Sequence, residues 1–94
     1  GRLGMTVITN ANNQVVGVFT DGDLRRSLAR QLGLDTPISE VMSTNPKSVN
    51  PNMRASDALT LMNEQKINQL LIINDDNTLA GVLTLHELLH AGVN

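Results

Sequence analysis

Thr20-Asp21-Gly22-Asp23 and Thr84-Leu85-His86-Glu87 each set a hydroxyl three residues ahead of a carboxylate, with a leucine immediately after the acid. That spacing serves two chemistries. At a helix start, the hydroxyl and the acid satisfy each other's otherwise orphaned backbone N–H groups, which makes a capping box. The carboxylate also suits the positive end of the helix dipole. The same carboxylate can instead accept two hydrogen bonds from the vicinal hydroxyls of a ribose, while the hydroxyl and the helix-start amides face a phosphate. A third chemistry overlaps the second stretch. His86-Glu87-Leu88-Leu89-His90 satisfies the H-E-x-x-H pattern, in which two histidines on one helix face hold zinc and the glutamate acts as general base. Only four residues follow His90, so no downstream third ligand is expected, and no upstream acid has supporting spacing. A zinc hydrolase centred on His86-Glu87-x-x-His90 is therefore the outlying alternative.

The elements that must position these groups follow from local pattern. Met5 to Thr9 and Val15 to Thr20 are β-prone runs either side of the turn cluster Asn10 to Gln14, which predicts a hairpin with a five-residue loop. Asp21 to Leu32 reads as a helix with Leu24, Leu28 and Leu32 on one face and Gly33 as its stop. Thr36-Pro37 predicts an N-cap and first helical residue for a short helix to about Met42. A turn at 43–46 and a short strand at 47–50 follow. Ser56 or Asp57 is expected to cap a helix to about Gln65, with Ala58, Leu59 and Met62 inward. Leu70 to Ile73 and Leu79 to Thr84 read as strands around the turn Asn74 to Asn77. Leu85 to Ala91 reads as a closing helix, with Gly92 behind it.

Met5–Arg26 overlays Gln69–His90 without a gap at a shift of 64 residues, with seven identities among 22 positions. They are Ile8/Ile72, Asn10/Asn74, Asn13/Asn77, Gly17/Gly81, Val18/Val82, Thr20/Thr84 and Leu24/Leu88. Asp23/Glu87 keeps the acid. Chance pairing would give roughly one or two, so an internal repeat governs the fold reading. The same overlay sets His86, Glu87 and His90 against Gly22, Asp23 and Arg26, which explains the histidine segment without a metal.

The pattern apolar-apolar-Gly-apolar-apolar-Thr-x-x-acid after a strand and turn resembles the cystathionine-β-synthase (CBS) domain. Residues 38–92 carry it nearly complete: Ile38-Ser39-Glu40-Val41-Met42, Val49-x-Pro51, Ala58-Leu59-x-Leu61-Met62, Ile72-Ile73 and Gly81-Val82-Leu83-Thr84. Residues 5–33 match the second half of a preceding repeat. The resemblance implies an α/β (α+β) fold of tandem β-α-β-β-α units with pseudo-twofold packing, the first unit incomplete at its N-terminus. Residues 1–35 would be that partial repeat (β-β-α), and 36–94 a linker helix with the second repeat. The first sheet is expected to lack its leading strand, and Gly1 to Gly4 to be a helix end or entry loop.

Phe19-Thr20-Asp21-Gly22-Asp23-Leu24-Arg25-Arg26, preceded by Leu3-Gly4-Met5-Thr6, is similar to the C-terminal CBS pair of bacterial arabinose-5-phosphate isomerases. Those enzymes make the precursor of Kdo, a sugar of lipopolysaccharide and some capsules. The resemblance implies a non-catalytic regulatory module of such an isomerase. It would sense a nucleotide or nucleotide-sugar such as CMP-Kdo, AMP or ATP, require no cofactor or metal, and associate as a homodimer of CBS pairs. An assembly module without sensing is the alternative. Thr20 and Asp23 would hold the nucleotide, with Thr84 and Glu87 as the second set, although Glu87 is one methylene longer than the usual aspartate. Arg26 is a phosphate ligand or a solvated charge. Lys47 and Ser48 fall where CBS repeats line the cleft, and Lys47 either meets a phosphate or sits in water.

Composition sets the outer bounds. Ninety-four residues with 40% apolar content, one aromatic (Phe19) and no cysteine must build an aliphatic core without disulfides. A chain this short buries only roughly 60–65% of its unfolded surface. A net charge of −2 with no basic stripe leaves nucleic acid without its electrostatic footprint. No apolar run reaches the ~20 residues that span a bilayer. No signal peptide is read at the start, and a cytoplasmic location is expected.

Overall fold

The computed structural model describes residues 5–92. The helix end or entry loop expected for Gly1 to Gly4 lies outside them. The chain divides into two compact units, 1–46 and 47–94. Residues 36–46, which lead into the second repeat in sequence, cluster in space with the first unit.

In the first unit, β1 (Met5–Thr9) and β2 (Val15–Thr20) form a two-stranded antiparallel hairpin that runs directly into α1 (Asp21–Ala29). In the second, β3 (Ser48–Val49) pairs parallel with β4 (Gln69–Ile73). The crossover between them is α2 (Ala55–Gln65), as a parallel pair requires. β4 then pairs antiparallel with β5 (Leu79–Thr84), which leads into α3 (Leu85–His90). The β-α-β-β-α order expected of the second repeat is thus present, and the described residues of the first give β-β-α.

The duplication extends to the finest local geometry. Met5 faces Thr20 as Gln69 faces Thr84, and Ile8 faces Gly17 as Ile72 faces Gly81. Both hairpins break register at the same place, between Ile8 and Thr9 and between Ile72 and Ile73. Asn13 and Asn77 take left-handed backbone with φ of 63° and 71°, a conformation that asparagine tolerates better than most residues. Each is closed by its N–H donating to the carbonyl of Asn10 or Asn74.

The second unit has the aliphatic core. Val49, Ala58, Met62, Leu70 and Leu88 are buried against one another, with Leu59, Leu61, Ile67, Ile72, Leu83 and Leu85 partly buried around them. Ala58, Leu59 and Met62 face inward as their spacing predicts. Leu24, the repeat counterpart of Leu88, is exposed, and so is Leu28. Leu88 is covered by the cluster that α2 supplies, and the described residues of the first unit contain no counterpart of α2.

Three helix boundaries differ from expectation. α1 stops at Ala29 rather than Leu32 because Gln31, not Gly33, takes the left-handed turn with φ of 59°. Gln31 N–H donates to Leu28 C=O, and Leu32 N–H to Ser27 C=O. That is the Schellman pattern, which normally recruits glycine. The helix expected from Thr36 is a single 3-10 turn over Ile38–Glu40, with Pro37 as its cap and no side-chain capping bond. α2 begins at Ala55 behind Arg54 and also lacks a side-chain cap. Ser56 and Asp57 lie inside its first turn, where Asp57 still suits the helix dipole.

Candidate functional site

Each strand-to-helix junction carries its capping box in full. Thr84 N–H and Oγ1–H donate to Glu87 Oε1 at 3.1 and 3.0 Å, and Glu87 N–H returns a bond to Thr84 Oγ1 at 3.1 Å. Thr20 N–H and Oγ1–H donate to Asp23 Oδ2 at 2.8 and 3.0 Å, and Asp23 N–H donates to Thr20 Oγ1 at 3.2 Å. Here the resemblance between the two junctions ends. Glu87 is exposed, whereas Asp23 is only 2% exposed and is the one buried charged residue among those described.

Asp23 is buried because its second oxygen is also engaged. Arg26 donates to Oδ1 at 2.6 Å, and so does the Ser43 hydroxyl, 20 residues along the chain, at 2.6 Å. Burial alone would raise the carboxyl pKa. The bonds from Ser43, Arg26 and Thr20 outweigh it and lower the value to about 2. Both carboxylate oxygens thus accept two bonds each, which uses about four lone-pair sites.

Ser43 is held there by the backbone. Val18 N–H donates to Ser43 C=O at 2.9 Å, and Ser43 N–H to Val18 C=O at 2.8 Å. This bridge brings the segment hard against Gly17. A Cβ built on Gly17 would stand 2.7 Å from the Ser43 carbonyl oxygen and 2.8 Å from Met42 Sδ. Gly17→Ala is therefore expected to break the Val18–Ser43 bridge and to cost about 1–3 kcal/mol, the range for forcing atoms into a filled space. Gly81→Ala in the same chain meets only Ile72 Cδ1, at 3.8 Å, and should be near neutral. Urea midpoints of the two variants compare the sites directly.

Of the residues proposed from sequence, the structure brings Thr20, Asp23 and Arg26 into one hydrogen-bonded cluster. Arg26 is paired rather than merely solvated, although its side chain remains largely exposed. Thr84 and Glu87 form a second, separate pair. Lys47 and Ser48 are both exposed at the start of β3. Lys47 C=O accepts from Leu71 N–H, so the backbone there belongs to the sheet. β4 lies between them and the strand that carries Thr84. Ser43 was not singled out from sequence, because no local pattern ties it to Asp23. The available signal was Gly17, since glycine inside a strand often marks close approach of another backbone.

His86 and His90 stack edge to face with ring centroids 4.5 Å apart. Among the described residues no group of three His, Cys, Asp or Glu side chains is gathered to hold a metal ion. No helix among them is long and apolar enough to cross a membrane.

The family model described as CBS domain matches residues 38–94. The chain is 40% identical over 92 residues to an arabinose 5-phosphate isomerase, KdsD, of Pseudomonas aeruginosa, covering 97% of this chain and 28% of that protein. It is 46% identical over 97 residues to the KdsD arabinose 5-phosphate isomerase of Salmonella typhi, covering 98% and 28%. The chain thus spans little more than a quarter of the length of these relatives. Among solved structures, a CBS domain protein from Pyrobaculum aerophilum complexed with AMP superposes with a TM-score of 0.74 at 26% identity, covering 92% of this chain and 66% of that one.

Proposed function

Because the chain belongs to the CBS-domain family, we propose that it is the nucleotide-sensing regulatory part of a larger sugar-phosphate isomerase. Its ligand contacts would be Thr20 and Asp23 in one repeat and Thr84 and Glu87 in the other. The observation that carries this reading is the twofold occurrence of a strand ending in a hydroxyl–carboxylate pair, alike in register, bulge and cap. The relatives named as arabinose 5-phosphate isomerases support the enzyme context, and the AMP complex of the Pyrobaculum aerophilum protein supports the ligand class.

Asp23 already carries a full set of hydrogen bonds, which limits how a ribose can enter. Its Oδ2 bonds hold the helix start, so the diol replaces the donors on Oδ1. Arg26 is exposed and free to swing toward a phosphate, which charge-assisted bonding favours. Ser43 needs only a rotation of its hydroxyl, since its backbone bridge does not depend on it. In the second repeat Glu87 keeps both capping bonds on Oε1, which leaves Oε2 for a ligand hydroxyl. Lys47 and Ser48 supply an exposed cation and hydroxyl at the β3 edge. Binding shifts the attached isomerase only insofar as the ligand prefers one of its states.

Calorimetric titration of the whole parent protein with AMP, ATP, CMP and a cytidine nucleotide-sugar tests this reading. Saturable heat with at least one is expected, and no heat at millimolar ligand overturns it. Removing the CBS region separates sensing from assembly. Loss of the nucleotide response at unchanged oligomer size fits the sensor, whereas loss of oligomerisation alone fits an assembly module and a homo-oligomer held by this region.

A further inference from the structure

His86 and His90 belong to neither hydroxyl–carboxylate pair. In the duplicated unit they stand where the first repeat has Gly22 and Arg26. Arg26 folds back one turn. Its guanidinium reaches Asp23 Oδ1, and a Cβ built on Gly22 would lie 3.2 Å from its Nη1. His90 spans the equivalent turn but meets the ring of His86, with centroids 4.5 Å apart and planes at 88°. Both histidines are exposed, and among the described residues neither ring has a hydrogen bond or an ion pair. Glu87, beside His86 in sequence, keeps its capping bonds to Thr84.

We propose that these two imidazoles form a chelate for a divalent late transition-metal ion, which clips the turn of α3 between positions 86 and 90. Residues four apart on a helix are neighbours on one face, and imidazole suits copper, nickel and zinc, with copper(II) held most tightly. A metal bound through a ring nitrogen at about 2.0 Å stands about 3.2 Å from the ring centre. Two rings at a right angle about it are then about 4.5 Å apart, and at a tetrahedral angle about 5 Å. The observed 4.5 Å matches the right angle, that of adjacent positions in square-planar or octahedral coordination. The rings meet edge to face, so chelation needs rotation of the imidazoles and no movement of the helix. No third His, Cys, Asp or Glu side chain is gathered there among the described residues, so water fills the other positions. Catalytic zinc centres use three protein ligands, which sets this clip apart from a hydrolytic site. Leu88, 4% exposed, lies between the two histidines and carries α3 into the core. A six-residue helix holds little by itself, and a link across its turn steadies the segment that presents Leu88. The site lies wholly within the second unit and does not depend on nucleotide sensing.

The test is amide hydrogen exchange on the full-length parent protein, with copper(II), nickel(II), zinc(II) or magnesium chloride added separately. The probe is the Ala91 amide, which donates to Glu87 C=O at 3.0 Å and closes the turn. An ion that binds only the closed turn slows its opening about tenfold at roughly ten times the dissociation constant. Slowing of at least about tenfold is expected with copper(II) at or below millimolar concentration, a smaller effect with nickel(II) and zinc(II), and none with magnesium, which prefers oxygen ligands. His86→Gln and His90→Gln should each abolish the slowing. Both positions are exposed, so neither change disturbs the core, and either variant alone keeps the test decisive. Unchanged Ala91 exchange with copper(II), nickel(II) and zinc(II) at millimolar concentration overturns the proposal. So does slowing that survives both substitutions, or an equal effect of magnesium.

Discussion

Met62→Ala should lower the stability of the second unit by about 2–5 kcal/mol, the range for truncating a large buried aliphatic side chain to alanine. Met62 is 1% exposed and sits among Val49, Ala58, Leu70 and Leu88. The hydrophobic cluster around it is wholly aliphatic, without a ring that could tilt into the space. Folded domains hold only roughly 0.05–0.15 kcal/mol per residue, so the loss would consume most of what a unit of this size has. Leu89→Ala on the adjacent helix is the control. Leu89 is half exposed, and its truncation should change stability by less than about 0.5 kcal/mol. Chemical denaturation followed by circular dichroism distinguishes the two. Equal effects would mean that the Met62 cluster does not hold the unit together.

The second large effect concerns Asp23 and pH. Its carboxyl ordinarily titrates near 3.8 and is held at about 2 in the folded chain. A depressed folded value means that the stabilisation is complete above the ordinary pKa and is lost as pH falls through the folded one. The window is therefore pH 4 to pH 2, and the loss is about 2 kcal/mol. Asp23→Asn should be less stable than the natural sequence at neutral pH by a similar amount, because the amide cannot accept all four bonds and leaves Arg26 unpaired. Between pH 4 and pH 2 its stability should fall less steeply than that of the parent. Parallel curves for the two proteins would show that the lowered pKa does not reside at Asp23.

The duplication was legible because its shared residues occupy positions where geometry restricts choice. Asn13 and Asn77 fill left-handed turns, and Thr20 and Thr84 cap helices. These demands are local, so they leave a mark in the local sequence. The burial of Asp23 was not legible, since it depends on Ser43 arriving from 20 residues away. The spacing of Leu24, Leu28 and Leu32 sets them on one helix face, but whether such a stripe is covered depends on the element packed against it, and α2 has no counterpart among the described residues of the first unit. Helix ends were read from the usual glycine and N-cap preferences. Gln31 and Lys66 adopt the left-handed conformation without glycine, with φ of 59° and 56°. At Gln31 the two Schellman bonds that follow offset a strain of roughly 1–2 kcal/mol.

The most direct measurement of the account is an amide-shift titration of the two-repeat parent protein with AMP. If one hydroxyl–carboxylate junction has been used twice to hold a nucleotide, the saturable shifts should centre on Thr20 to Asp23, on Thr84 to Glu87, or on both, and Ser43 should move with the first set. Saturable shifts centred on other segments, with both junctions still, would contradict it.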